Sequence, residues 1–194
     1  MNTVGRVNSE RYQKYYMDLV EYIASRNTIC GSRKVAALLV DPNNKVRGIG
    51  FNGPPAGTPH CDHMGYLISV VEPMLDDNKR SSLMLGYTSV RAGLQACSNA
   101  KACPRKFLGY KTGELSHMCS CQHAETNAII NAACDISGCA LYCTLSPCVN
   151  CAGALINARV AEVHFPEGQW YQPQAEFLLR QAQVEIVQHV SVSD

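Results

Sequence analysis

His123, Cys148 and Cys151 are the residue types that hold zinc, and a carboxylate, Glu125, stands two positions after the histidine. One histidine and two cysteines supply three ligands and leave a fourth position of the ion open to water. An ion so bound lowers the pKa of that water towards neutrality, and a nearby carboxylate that does not bind metal can carry the protons. In Pro147-Cys148-Val149-Asn150-Cys151 the cysteines are three apart, so on a helix they share one face and can reach one ion. Pro147 stands where proline is tolerated at a helix start, and a helix N-terminus favours thiolate over thiol. His123 and Glu125, two apart, do not share a helical face, so they have different tasks. The chemistry predicted is hydrolysis, with Glu125 as proton shuttle. The alternative is a closed structural zinc site with Glu125 as a solvated acid.

The elements that must position these residues can be read from periodicity. Ser9 to Arg26 predicts an amphipathic helix carrying Tyr12, Tyr15, Tyr16, Leu19, Val20 and Ile23 on one side. Lys34 to Asp41 and Lys45 to Phe51 predict an antiparallel hairpin around the Asp41-Pro42-Asn43-Asn44 turn. The stretch from about His60 to His117 lacks sustained periodicity and reads as a largely irregular insertion with one or two short helices. Beyond it, a helix (Gln122–Ala133), a strand (Ala140–Leu145), a helix (Cys148–Ala158) and a strand (Ala161–Phe165) are expected, then a helix (Gln172–Gln183) and a strand (Val184–His189). Strands alternating with helices imply parallel crossovers. The fold class expected is α/β, a mixed five-stranded sheet with helices on both faces. Both zinc segments then begin helices on the same side of that sheet.

At 194 residues the chain is most simply one domain, residues 1–194, with a core over about 11–190 and an insertion over about 60–117. The net charge of +1 and a single tryptophan argue against a nucleic-acid partner. Met1 to Arg11 is polar, no apolar run approaches a membrane span, and nothing resembles a signal peptide. Eleven cysteines in such a chain read as metal ligands and buried small hydrophobes rather than disulfides, which points to the cytoplasm.

The pattern H-x-E…P-C-x-x-C is that of zinc-dependent nucleobase deaminases. Three segments resemble the cytidine-deaminase superfamily, and within it the deoxycytidylate (dCMP) deaminases of phage and bacterial type. They are Gly50-Phe51-Asn52-Gly53-Pro54-Pro55-Ala56-Gly57, with Phe51 for the usual tyrosine, His123-Ala124-Glu125-Thr126-Asn127-Ala128-Ile129, and Thr144-Leu145-Ser146-Pro147-Cys148-Val149-Asn150-Cys151-Ala152. The resemblance implies a three-layer fold and hydrolysis of dCMP to dUMP and ammonia for thymidylate synthesis. His123, Cys148 and Cys151 would bind catalytic zinc, with Glu125 as general acid and base. Asn52 would hold the sugar 3′-hydroxyl, or else serve only as a turn asparagine. Ala124 and Ser146 would hold the pyrimidine edge, and Arg33 and Lys34 are candidates for the 5′-phosphate, or else a solvated pair at the strand end. A homohexamer is also implied, activated by dCTP and inhibited by dTTP with Mg²⁺ on the effector.

The resemblance further implies a second, structural zinc. Cys30 and Cys121 would contribute, with His60 or Cys61, and His117 or Cys119 completing four; the set taken is Cys30, Cys61, His117 and Cys121. The alternative is buried thiols with surface histidines. Cys97, Cys103, Cys134, Cys139 and Cys143 read as packing residues. From Lys79 to Thr112 there are seven Lys and Arg and no acid, a run that attracts polyanions. Arg105 and Lys106 are the effector candidates, against a merely solvated insertion. Competing functions are a deaminase that also accepts dCTP or 5-modified dCMP, and a tRNA or single-stranded DNA cytosine or adenosine deaminase.

Overall fold

A computed structural model describes residues 10–111, 114–168 and 170–190. Ser9, the expected start of the first helix, and Thr112, the end of the basic run, lie outside the described residues. In chain order the elements are α1 (Glu10–Asn27), β1 (Ala36–Val40), β2 (Val46–Phe51), α2 (Met64–Tyr66), α3 (Asp77–Gly86), α4 (Val90–Asn99) and α5 (Pro104–Phe107). They continue with α6 (Ala124–Ala132), β3 (Ala140–Cys143), α7 (Val149–Asn157), β4 (Glu162–Pro166), α8 (Pro173–Gln181) and β5 (Glu185–His189).

The described residues form two compact units: those up to Thr28 with residues 34–52 and those from His123 on, and residues 29–33 with those of 53–122. The first holds the sheet, in the order β2-β1-β3-β4-β5. β1 runs antiparallel to both β2 and β3, whereas β3, β4 and β5 are parallel, joined by α7 and α8. The apolar run Ala36–Val40 is buried at every position, as a strand covered on both faces must be. On one face Ala37, Leu39, Leu141, Cys143, Val163 and Phe165 pack against α6, α7 and α8. On the other, Tyr16, Met17, Val20 and Ala24 of α1 cover Ala36, Leu38, Val40, Ala140 and Tyr142. The architecture is the expected three-layer α/β/α.

Side chains end the strands sooner than periodicity suggests. The Val35 amide donates to Asn52 Oδ1 at 2.9 Å and the Ala36 amide to Thr144 Oγ1 at 3.1 Å, so β1 begins at Ala36 and β3 ends before Thr144. At the hairpin, Asp41 accepts from the amides of Asn43 and Lys45 and from Arg47 Nε, which lets the turn close with Asn44 left-handed at φ 60°.

The second unit has more helix than the sequence pattern suggests. α3 and α4 are ten residues each, with N-termini capped by Asp76 and Ser89, which accept from the Lys79 and Ala92 amides. Their apolar stripes are short, only Leu83 being buried in α3, so no period stood out. Leu67, Val71, Leu75, Leu83, Leu94, Cys97, Leu108 and Met118 make this unit's own core. A bridge between Gly53 and Gln122 brings its two ends together. Among the described residues no helix is long and apolar enough to cross a membrane.

Candidate metal and proton-transfer site

His123 is the N-cap of α6 and Cys148 the N-cap of α7, both in extended backbone conformation just before the first turn. The two helix starts lie together because both helices pack on one face of the sheet. His123 Nδ1 is 3.4 Å from Cys148 Sγ and 3.4 Å from Cys151 Sγ. An ion at ~2.3 Å from sulfur and ~2.0 Å from nitrogen, with tetrahedral angles, separates such atoms by about 3.5 Å. The donor set fits zinc in spacing and in chemistry. Both cysteines are buried while His123 is exposed.

One of the two thiols, that of Cys148, is prepared for deprotonation. Cys148 Sγ accepts from the Cys151 amide at the helix start. The hydrogen bond from the Cys151 thiol brings the Cys148 pKa down to about 4, with His123 helping, and as donor Cys151 is pushed up. A hydroxyl the sequence reading did not single out, Thr126 Oγ1, lies 3.8 Å from Cys151 Sγ. Glu125 is 4% exposed, one residue inside α6. Burial raises its pKa, while its own backbone amide and His123 pull the other way. A carboxyl of this kind holds a proton more readily than a surface glutamate does.

The other candidates of this unit are placed as follows. Asn52, at the end of β2, is buried; its Oδ1 accepts from Val35 and its amide donates to the Val35 carbonyl. Ser146 is buried and its Oγ accepts from the Tyr171 amide at 2.8 Å, which directs the hydroxyl proton elsewhere. Ala124 is fully buried at the start of α6. Lys34 Nζ reaches the Ser25 carbonyl at the end of α1. Gln172, also not singled out, accepts from the Val149 amide and satisfies the first turn of α7. Of the cysteines read as packing residues, Cys139 and Cys143 are buried but Cys134 is exposed.

The second unit has a separate group. His60, Cys61 and Cys121 place ligand atoms within 4.8 Å of one another, with His60 Nε2 3.7 Å from Cys121 Sγ. His60 Nδ1 is 2.9 Å from Asp62, which orients the ring so that Nε2 faces the Cys121 sulfur, while the Cys61 sulfur lies 4.0 Å from both ring nitrogens. Cys121 also hydrogen-bonds Cys30, which is thereby lowered to about 5, and Cys119, which is lowered to about 2. His60, Cys61 and Cys121 thus form the group, with Cys30 and Cys119 next to Cys121. Cys30, Cys61 and Cys121 of the expected set are among them; His117 is not, and His60 and Cys119 are. The Cys119-x-Cys121 spacing was the available signal, but a tandem His60-Cys61 leaves register open in a chain read alone. Arg33 follows this cysteine loop, its amide bonded to Cys30. Arg105 is near enough to Cys119 to favour its thiolate, and Lys106 Nζ binds the Ser32 carbonyl.

Comparison with known proteins identifies the family. The model of the cytidine and deoxycytidylate deaminase zinc-binding region matches residues 10–167. The deoxycytidylate deaminase of Enterobacteria phage T2 is 28% identical over 174 residues, 86% of this chain and 87% of that protein. That of phage T4 is 26% identical over 178 residues, 86% and 84% of the two chains. A solved structure, the dCMP deaminase of cyanophage S-TIM5 in complex with dCMP and dUMP, shares the fold with a TM-score of 0.60. It is 20% identical, over 94% of this chain and 99% of that one. With both zinc segments inside the matched span, the chain belongs to the cytidine and deoxycytidylate deaminase family.

Proposed function

We propose that this protein hydrolyses dCMP to dUMP and ammonia. The observation that carries the reading is the His123–Cys148–Cys151 group with the buried Glu125 beside it. The names of the phage relatives and the Asn52 loop support dCMP over free bases. His123, Cys148 and Cys151 would hold Zn²⁺, which when bound supplies an activated water and charge stabilisation. Glu125 takes a proton from the attacking water, gives it to N3 of cytosine, and moves the next proton to the leaving ammonia. Addition of water at C4 and loss of NH₃ balance the reaction. Asn52 holds the 3′-hydroxyl, the Ala124 backbone and Ser146 hold the pyrimidine edge, and Lys34 with Arg33 meets the phosphate.

His60, Cys61 and Cys121, with Cys30 or Cys119 as the fourth ligand, would hold a second, structural zinc. Cytoplasmic location, a homohexamer, and control by dCTP and dTTP with Mg²⁺ belong to the same reading. Four cations of the basic run already have internal partners: Lys79 on Leu108, Arg80 on Glu72 and Leu75, Arg91 on Glu72, and Lys106 on Ser32. Arg105 is therefore the stronger of the two effector candidates.

Glu125→Gln tests the core of this reading. It keeps size and hydrogen-bonding capacity but cannot shuttle protons, so turnover of dCMP should fall at least ~10²-fold with the zinc content of the protein unchanged. Near-normal turnover by this variant would remove Glu125 from the mechanism.

A further inference from the structure

Helix α6 carries His123 and Glu125 at its N-terminal end and lies directly on β2, which ends at Phe51, one residue before Asn52. Two bonds register the one on the other. Asn127 Nδ2 donates to the Phe51 carbonyl at 2.9 Å, and Asn131 Nδ2 to the Ile49 carbonyl at 2.8 Å. The spacings match: four residues of helix advance ~6.0 Å, and two residues of strand ~6.7 Å. Helix and strand run in opposite directions along this pair of bonds, since the later asparagine takes the earlier carbonyl. β2 is an edge strand, so the asparagines also occupy carbonyls that a sheet edge would otherwise offer to another chain.

The approach is close because β2 presents glycine to the helix. A Cβ at Gly50 would lie 2.0 Å from the Ala124 carbonyl oxygen and 2.3 Å from the Ala128 nitrogen; at Gly48 it would lie 2.2 Å from the Ala128 oxygen. The glycines set how near α6 comes, and the asparagine amides set where along β2 it sits.

We propose that Asn127 is a positioning residue: by holding the Phe51 carbonyl it fixes Asn52 relative to Glu125 and His123, and so fixes the sugar of the substrate relative to the reacting base. Asn131 makes the same bond three residues from Asn52 and contributes to stability rather than to this alignment. The proposal rests on the reading of Asn52 as the ligand of the 3′-hydroxyl.

Asn127→Asp and Asn131→Asp remove the donor at nearly constant shape. The substrates compared are dCMP and 2′,3′-dideoxycytidine monophosphate, which offers Asn52 no hydroxyl. With Asn127→Asp, kcat/KM for dCMP should fall about tenfold, the equivalent of one hydrogen bond, and that for the dideoxy analogue should change less than about twofold. Asn131→Asp should lower the melting temperature comparably while leaving kcat/KM for dCMP within about twofold. Equal losses on both substrates, or equal kinetic losses in both variants, would overturn the assignment. Hydrogen exchange at the Asn52 amide reads the clamp without substrate: it should quicken in Asn127→Asp, and unchanged exchange also overturns the proposal. A wild-type protein that leaves dCMP untouched refutes the proposed activity instead, and the exchange measurement then decides on the clamp alone.

Discussion

Gly50→Ala is the sharpest single test of how the sheet positions the site. The added Cβ would meet the Ala124 carbonyl oxygen at 2.0 Å and the Ala128 nitrogen at 2.3 Å. An ordinary C···O contact is about 3.3 Å, so α6 must retreat from β2 by about 1.3 Å at its first turn. The atoms met are backbone atoms of a regular helix, and no rotamer change relieves them. The cost therefore falls at the upper end of overpacking, about 3 kcal/mol, which for a chain of this size lowers Tm by roughly 6–12 °C. The retreating turn carries Glu125 and follows His123, and a displacement near 1 Å at reacting groups costs on the order of 10²-fold in rate. Gly153→Ala in α7 is the matched control: its Cβ meets nothing within 4 Å, so removing a mid-helix glycine should stabilise by about 0.5–1 kcal/mol. Urea titrations followed by the fluorescence of the single tryptophan, with dCMP turnover measured alongside, read both effects. A Gly50→Ala protein within ~0.5 kcal/mol of wild type and with normal turnover would show that this glycine seat does not set the site.

Zinc analysis after gel filtration separates the ligand sets of the second unit: the protein should carry two ions per chain, Cys61→Ser should carry one, and His117→Ala two. Loss of an ion in His117→Ala would restore the histidine that the structure leaves outside the group. A pH test falls on His189, whose ring meets the fully buried His164 at 3.0 Å while His164 meets Glu162 at 2.9 Å. Burial and His164 hold the His189 pKa below its usual value. The folded state thus takes up its proton later than the unfolded chain does, and the stabilisation, complete above the unfolded pKa near ~6.5, is lost as pH falls below it. The urea midpoint should drop between pH 7 and 5, and His189→Gln, which can still donate to His164, should flatten that drop; an identical slope in the variant would remove His189 as its cause.

The proposed chemistry of this chain is legible in its sequence because the candidate zinc ligands sit in short local motifs at helix starts. A C-x-x-C at a helix N-terminus brings two thiols together by helical geometry alone, and H-x-E separates ligand from shuttle in the same way. Short apolar runs such as Ala36–Val40 and Ala140–Cys143 likewise mark the strands, since a strand covered on both faces must be apolar at successive positions. Only the tertiary structure could decide the rest. The start of β1 depends on Asn52 and Thr144, 17 and 108 residues from the amides they accept from. The cysteine cluster joins residues 30, 61, 119 and 121 through loops with no period, so which of His60, Cys61, His117 and Cys119 turn inward was not written in their spacing. The grip of Asn127 and Asn131 on β2, and the two glycines that admit α6 there, follow from contacts 76 to 82 residues apart. Local motifs choose the reacting groups, whereas the distances between them are set by packing of distant segments, and a one-dimensional pattern carries no record of those distances.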